Sequence, residues 1–286
     1  MNEFEQQARA FTDTINAELN DGRLVFPVSM EVTLRIKRLA DDPDSSLDEI
    51  VAVVQAEPVL AAKTIRMANT VALNPYGALV DSVGVAVRRI GLSSLRSLAF
   101  AVASEQLAGD HRSPNMRTLA QGLWMRSLDV ASWCFALARR TQASNPDTAL
   151  MAGMLTQIGQ FFLIARASDY PAMERNIDRF AELVDRLHVE VGRAVLDVFD
   201  VPESILDGLD AEDGYTGAWP PADLHHIVQI ASMVSEFPDP FDGLLGRHPQ
   251  RGPATTDGFG IDPAELQSLL HDSQDERRQI LDAVRA

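Results

Sequence analysis

The chain has 286 residues and one cysteine, so it can bury a large core without staples and cannot close an internal disulfide, which points to a reducing setting. With 41 acidic against 25 basic residues its formal net charge is −16, a field that repels anionic surfaces and disfavours direct nucleic-acid binding. The N-terminal stretch MNEFEQQARAF is polar and acidic, and no uninterrupted apolar run approaches the ~20 residues of a membrane span, so a cytoplasmic protein without membrane attachment is expected.

Helical periodicity runs through almost the whole chain, beginning with an N-terminal helix over residues 1–21. In 29-SMEVTLRIKRLADD-42, Val32, Ile36 and Leu39 recur at spacings of four and three, with Ser29 placed to cap the helix. A second helix over 46–57 has acidic residues in its first turn, where the helix dipole favours them. Pro58 suits the first turn of a third, because its missing N–H has no helical partner there. That helix presents Leu60, Thr64 and Met67 on one face and ends at Asn69. Residues 70–81 hold Pro and Gly and read as an ordered loop. Helices over 82–91 and 92–109 follow, divided near Gly91.

The segment 114–142 has an apolar face through Trp124, Leu128, Ala131, Phe135 and Ala138, and places Cys134 in the core as an inert thiol. After Asn145-Pro146-Asp147 comes 151-MAGMLTQIGQFFLIA-165, a core helix with Met154, Ile158, Phe161 and Ala165 at helical spacing, ended by Tyr170-Pro171. Further helices are expected over 172–187, 188–199, 202–213 and 222–237. Residues 237–263 are rich in Gly and Pro and read as a loop or linker. Residues 264–286 resume helical spacing as a C-terminal helix, either docked back on the domain or free for a partner. No run alternates with period two, so the class is all-α.

The basic clusters 35–38, Arg88-Arg89, Arg139-Arg140 and Arg277-Arg278 lack interleaved aromatics and read as solvated helix faces. His225-His226 has no partner at metal spacing. His111, His248 and His271 stand alone, and Asp210, Glu212 and Asp213 read as a solvated acidic turn. No phosphate-binding Gly-rich loop and no nucleophile elbow occurs.

Several stretches in order resemble the HDOD domain, an HD-related output domain of bacterial signalling proteins. These are 26-FPVSMEVTLRIKRLADDPDSSLDEIVAVVQAEPVLAAKTIRMANTVALNPYG-77, 81-DSVGVAVRRIGLSSLRSLA-99, 123-LWMRSLDVA-131, 152-AGMLTQIGQFFL-163 and 188-HVEVGRAVLDVFDVPESI-205. The resemblance implies an HD-like multi-helix bundle over residues 22–236, with lobes of about 22–110 and 111–236. In the HD-type metal phosphohydrolases related to this family, the corresponding positions carry a His at Arg126, an adjacent His-Asp pair at Thr156-Gln157 and an Asp at Ser232. Imidazole and carboxylate ligate the metal, and the metal lowers the pKa of a bound water to make a nucleophile. Here a cation, two hydroxyls and an amide stand in their place, so no metal, cofactor or hydrolase activity is expected.

The resemblance further implies a non-catalytic regulatory protein of bacterial signal transduction that works through contact with a protein partner. Asn69, Arg126, His188 and Glu190 are the candidate ligand or interaction residues. Asn69 could bond a helix end and loop or wall the interlobe groove. Arg126 could pair with Asp129 or contact a phosphate, since a guanidinium binds oxyanions. Two other readings are weighed beside it: a nucleotide or cyclic-dinucleotide sensor in the vestigial cavity, and a phosphohydrolase with a displaced metal site.

Overall fold

The computed structural model describes residues 2–25, 31–75, 77–109, 113–199, 201–209, 219–247 and 262–285, and among them only helices and their connections occur. The expectations placed on Ser29, His111, Asp210, Glu212, Asp213 and His248 lie outside the described residues. Local chemistry sets where the helices begin. Helix α1 (Glu3–Asp21) opens with a reciprocal capping box between Asn2 and Glu5 and closes on Gly22 in the left-handed region. After α2 (Glu31–Asp41), α3 (Leu47–Gln55) opens with the same device between Ser46 and Glu49. Pro58 starts α4 (Pro58–Ala68). Helix α5 (Val83–Gly109) is broken at Gly91, whose φ of 76° excludes helical continuation.

Helix α6 (Pro114–Thr141) is the axis of the molecule, and every residue from Ser127 to Ala138 is buried. Its neighbours include α5, α7 (Pro146–Leu155), α12 (Leu224–Val234) and α14 (Pro263–Arg285). Helices α8 (Ile158–Ala167), α9 (Pro171–Arg175) and α10 (Ile177–Val198) carry the chain to α11 (Glu203–Leu209), which packs on α12. The N-terminal helix lies against α9 and α10 through Phe11, which meets Tyr170 and Phe180 edge-on at 5.2 and 6.3 Å.

Three expectations about the helices need correction. The stretch 151–165 is two helices, because α7 ends and α8 begins around Thr156-Gln157. Helix α10 runs unbroken through residue 188, since its strong apolar face continues across the expected boundary. Within 237–263, Asp239 accepts from the Phe241 amide and opens a short helix, α13 (Pro240–Leu244). The window Pro146–Ala167 is long and apolar enough to cross a membrane by composition, but 78% of it is buried in the protein's own core.

The C-terminal helix docks back. Leu266, Leu270, Ile280, Ala283 and Val284 are buried against the bundle. Lys63, itself buried, donates to the Val284 carbonyl and pairs with Glu105 at 3.1 Å, placing a cation at the negative end of the α14 dipole. The Gln279 amide oxygen accepts from the Ala72 backbone at 3.0 Å. Arg277 is not a solvated side chain but 3% exposed, because its partner, Asp129, lies in the core.

Candidate functional site

The residues at the expected ligand positions come together where α6, α12 and the α7–α8 junction meet. Arg126, half-buried on α6, donates from Nη1 to the Phe237 carbonyl at 2.8 Å and from Nη2 to the Ser232 carbonyl at 3.4 Å. Ser232 thus contributes its backbone oxygen to this network. Thr156 turns its hydroxyl back onto the Gly153 carbonyl at 2.9 Å, a helix-end bond. Gln157, 7% exposed, accepts from the Ser127 hydroxyl at 3.1 Å and donates to Asp239 Oδ2 at 3.1 Å. Asp129, weighed as a partner for Arg126, has both oxygens bonded by Arg277, Ser235 and the Glu236 amide.

Sequence reasoning missed Asp239, which brings a carboxylate to this network. Its Oδ2 also accepts from Gln160 at 3.1 Å and its Oδ1 from the Phe241 amide at 2.9 Å. The signal was present in Asp239-Pro240, an N-cap residue followed by proline at the first helical position, but it lay inside a stretch read as linker. Arg247 adds a permanent cation nearby: burial pulls its pKa down, but Asp185, Asp242 and Asp239 outweigh that and hold it above its ordinary value.

A divalent metal does not fit this donor set. Arg126 brings positive charge, the Gln157 side-chain oxygen already accepts from Ser127, Thr156 offers only a neutral hydroxyl turned onto the Gly153 carbonyl, and Asp239 accepts three N–H bonds and feels Arg247. Among the described residues no group of three or more His, Cys, Asp or Glu is arranged to hold a metal. The arrangement can bind its own segment, and that is what it does: residues 235–241 enter the site with a carbonyl and a carboxylate.

The frame around Thr156 and Gln157 has a packing reason. A Cβ on Gly159 would lie 1.9 Å from the His188 carbonyl oxygen and 2.9 Å from the Gly192 amide nitrogen. The backbones of α8 and α10 therefore touch beside the site, and only glycine permits it. His188 stands within α10, its Nδ1 3.1 and 3.0 Å from the Val184 and Asp185 carbonyls, while Glu190 is exposed. Neither reaches the network through a described bond. Asn69, at the end of α4, donates to the Ile65 and Val80 carbonyls at 3.1 and 2.7 Å and accepts from the Val80 amide at 2.8 Å. It ties the 70–80 loop to the helix. His226 pairs with Asp223 at 3.2 Å, at the surface end of α12.

An all-helical, HD-like bundle with this donor set belongs to the degenerate branch of the HD architecture. The chain is a member of the HDOD domain family, whose model matches residues 26–213. A curated relative, an uncharacterised protein of Treponema pallidum (strain Nichols), is 26% identical over 193 residues, 61% of this chain and 35% of its own length. The chain thus spans about a third of the curated relative it matches. A structure from Shewanella amazonensis SB2B, described as a candidate metal-dependent phosphohydrolase, is 24% identical with a TM-score of 0.70, covering 99% of this chain and 100% of that one. A candidate signal-transduction protein from Marinobacter aquaeolei VT8 is 18% identical with a TM-score of 0.52, covering 98% and 66%. At these identities the likeness carries the fold alone.

Proposed function

We propose that the chain is a non-catalytic regulatory protein of bacterial signal transduction, cytoplasmic, acting through contact with a protein partner on a degenerate hydrolase scaffold. One observation carries the reading: two of the positions that the resemblance matches to the metal ligands of HD hydrolases, Arg126 and Gln157, are bonded instead to Phe237 and Asp239 of the same chain, with Gln160 beside them. A scaffold that keeps its helices while filling its reaction centre retains surface as its means of action. The HDOD membership and the signal-transduction description of a structural neighbour agree with it, by analogy of fold rather than by site chemistry. The groove between the lobes 22–110 and 111–236 is the proposed contact surface.

The test is metal titration by calorimetry with Mn²⁺, joined to turnover assays on bis(p-nitrophenyl) phosphate and cyclic dinucleotides. The expected result is neither stoichiometric metal nor turnover. Turnover dependent on bound metal and abolished in Glu190→Gln or Asp213→Asn would establish the displaced-site hydrolase instead. A dinucleotide that binds the native protein and not Arg126→Ala would establish the sensor, in which Arg126 trades carbonyl oxygens for phosphate oxygens.

A further inference from the structure

The C-terminal helix and the segment that fills the former metal site meet on one carboxylate. Asp129 is 0% exposed, within α6. Its Oδ1 accepts from Nε and Nη2 of Arg277, on α14, at 2.8 and 2.5 Å. Its Oδ2 accepts from the Ser235 hydroxyl and the Glu236 amide, both at 2.9 Å, where α12 ends. Arg277 also spans the joint itself: Nη2 lies 3.3 Å from Glu236 Oε2, and the guanidinium stacks over Trp133 at 4.8 Å from the ring centroid. One and three residues beyond Glu236 come Phe237 and Asp239, the groups that hold Arg126, Gln157 and Gln160.

We infer that α14 controls the seating of residues 235–241 through Asp129, so that docking of the C-terminal helix keeps the former metal site closed. A buried carboxylate is tolerable while its counter-charge and hydrogen bonds are complete, and costly when one partner leaves. If α14 lifts, Arg277 goes with it. Asp129 can then recover solvation only by admitting water past Ser235 and Glu236, which loosens the segment they begin. The converse holds by linkage: unseating 235–241 removes two bonds from Asp129 and the Glu236 contact from Arg277, and so weakens the dock of α14. Release of α14 therefore uncovers Asp129 and Trp133 and opens the Arg126–Gln157 site in one step. The device goes beyond the proposed function, because it needs no partner, metal or substrate to operate.

Hydrogen–deuterium exchange on the full-length protein tests it. In the wild type, the amides of 235–241 and of α14 around Arg277 are expected to exchange with the same dependence on low urea, as one cooperative unit. Arg277→Met is expected to speed exchange in both segments by about tenfold or more, with α1 as the folded control. Asp239→Ala, which releases the segment from Gln157 and Gln160, is expected to speed exchange in α14. Arg140→Ala, which removes only the exposed pair with Asp272, should leave 235–241 unchanged. Different urea dependences in the wild type overturn the proposal, as does faster exchange in one segment while the other keeps wild-type protection. Because the readout contains no partner and no turnover, its failure leaves the proposed function standing, and the reverse.

Discussion

Replacement of Gly159 by alanine probes the contact that shapes the former reaction centre. The added Cβ would stand 1.9 Å from the His188 carbonyl oxygen, about 1.5 Å short of the 3.4 Å at which ordinary contact begins. The Gly192 amide nitrogen, at 2.9 Å, is also too near. Both opposing atoms are backbone, so no rotamer change relieves the clash and α8 must move away from α10. Overpacking of a close-packed core costs about 1–3 kcal/mol, and a backbone-to-backbone clash belongs at about 3 kcal/mol. At about 2–4 °C per kcal/mol for a domain near this size, the melting temperature should fall by about 6–12 °C. Because Gln157 and Gln160 flank the same turn, their bonds to Asp239 should weaken as well. Calorimetry and urea melts would measure the loss against Gly243→Ala, where a Cβ meets nothing within 4 Å. A Gly159→Ala protein that melts within about 2 °C of wild type, well below the shift that scaling gives, would refute the close approach of the two helices.

The remaining predictions concern single groups. Asp129→Asn leaves Arg277 buried beside Trp133 with only the exposed Glu236 carboxylate opposite it and should cost about 3 kcal/mol in urea unfolding, whereas Asp129→Asn with Arg277→Met should recover part of that loss; equal losses in the single and double variants would contradict the pairing. Burial pushes the Cys134 thiol well above its usual range, so it stays protonated and should resist a thiol reagent at pH 8 until the protein unfolds; rapid labelling of the native protein would show that the core opens there. Ser46→Ala breaks the capping box at α3, where the Ser46 hydroxyl accepts from the Glu49 amide at 3.3 Å and Glu49 accepts from the Ser46 amide at 2.7 Å; a loss of about 1 kcal/mol is expected by urea melts.

The bonding around Arg126 and Gln157 bears on the proposal that this HD-like scaffold works without catalysis. Replacing ligands alone would have left an aqueous hole lined by polar groups, and buried polar groups without partners are costly. Here residues 237 and 239 meet the polar groups at these positions. Arg126 pairs with backbone carbonyls, Gln157 bridges Ser127 and Asp239, and the Asp239 carboxylate also caps the helix that follows.

What the sequence by itself determined is local or periodic. Spacing of apolar residues announces the helices, and the Ser46, Asn145 and Pro58 signals place several of their starts because caps and proline act within one turn. The ordered motifs around Trp124, Thr156 and His188 carry the family, and the residue types at Arg126, Thr156, Gln157 and Ser232 are the basis for expecting no metal there. The tertiary structure alone decided what took its place. Asp239 is 82 and 79 residues from Gln157 and Gln160, and Arg277 is 148 from Asp129, and no periodicity encodes contacts at such separations. A surface reading of Arg277 was reasonable from its neighbours in sequence, since charged residues on a helix are ordinarily solvated. It became a core residue because α14 packs on α6 where a buried carboxylate waits, and a buried carboxylate draws in the one side chain that can answer its charge with a fork of N–H donors.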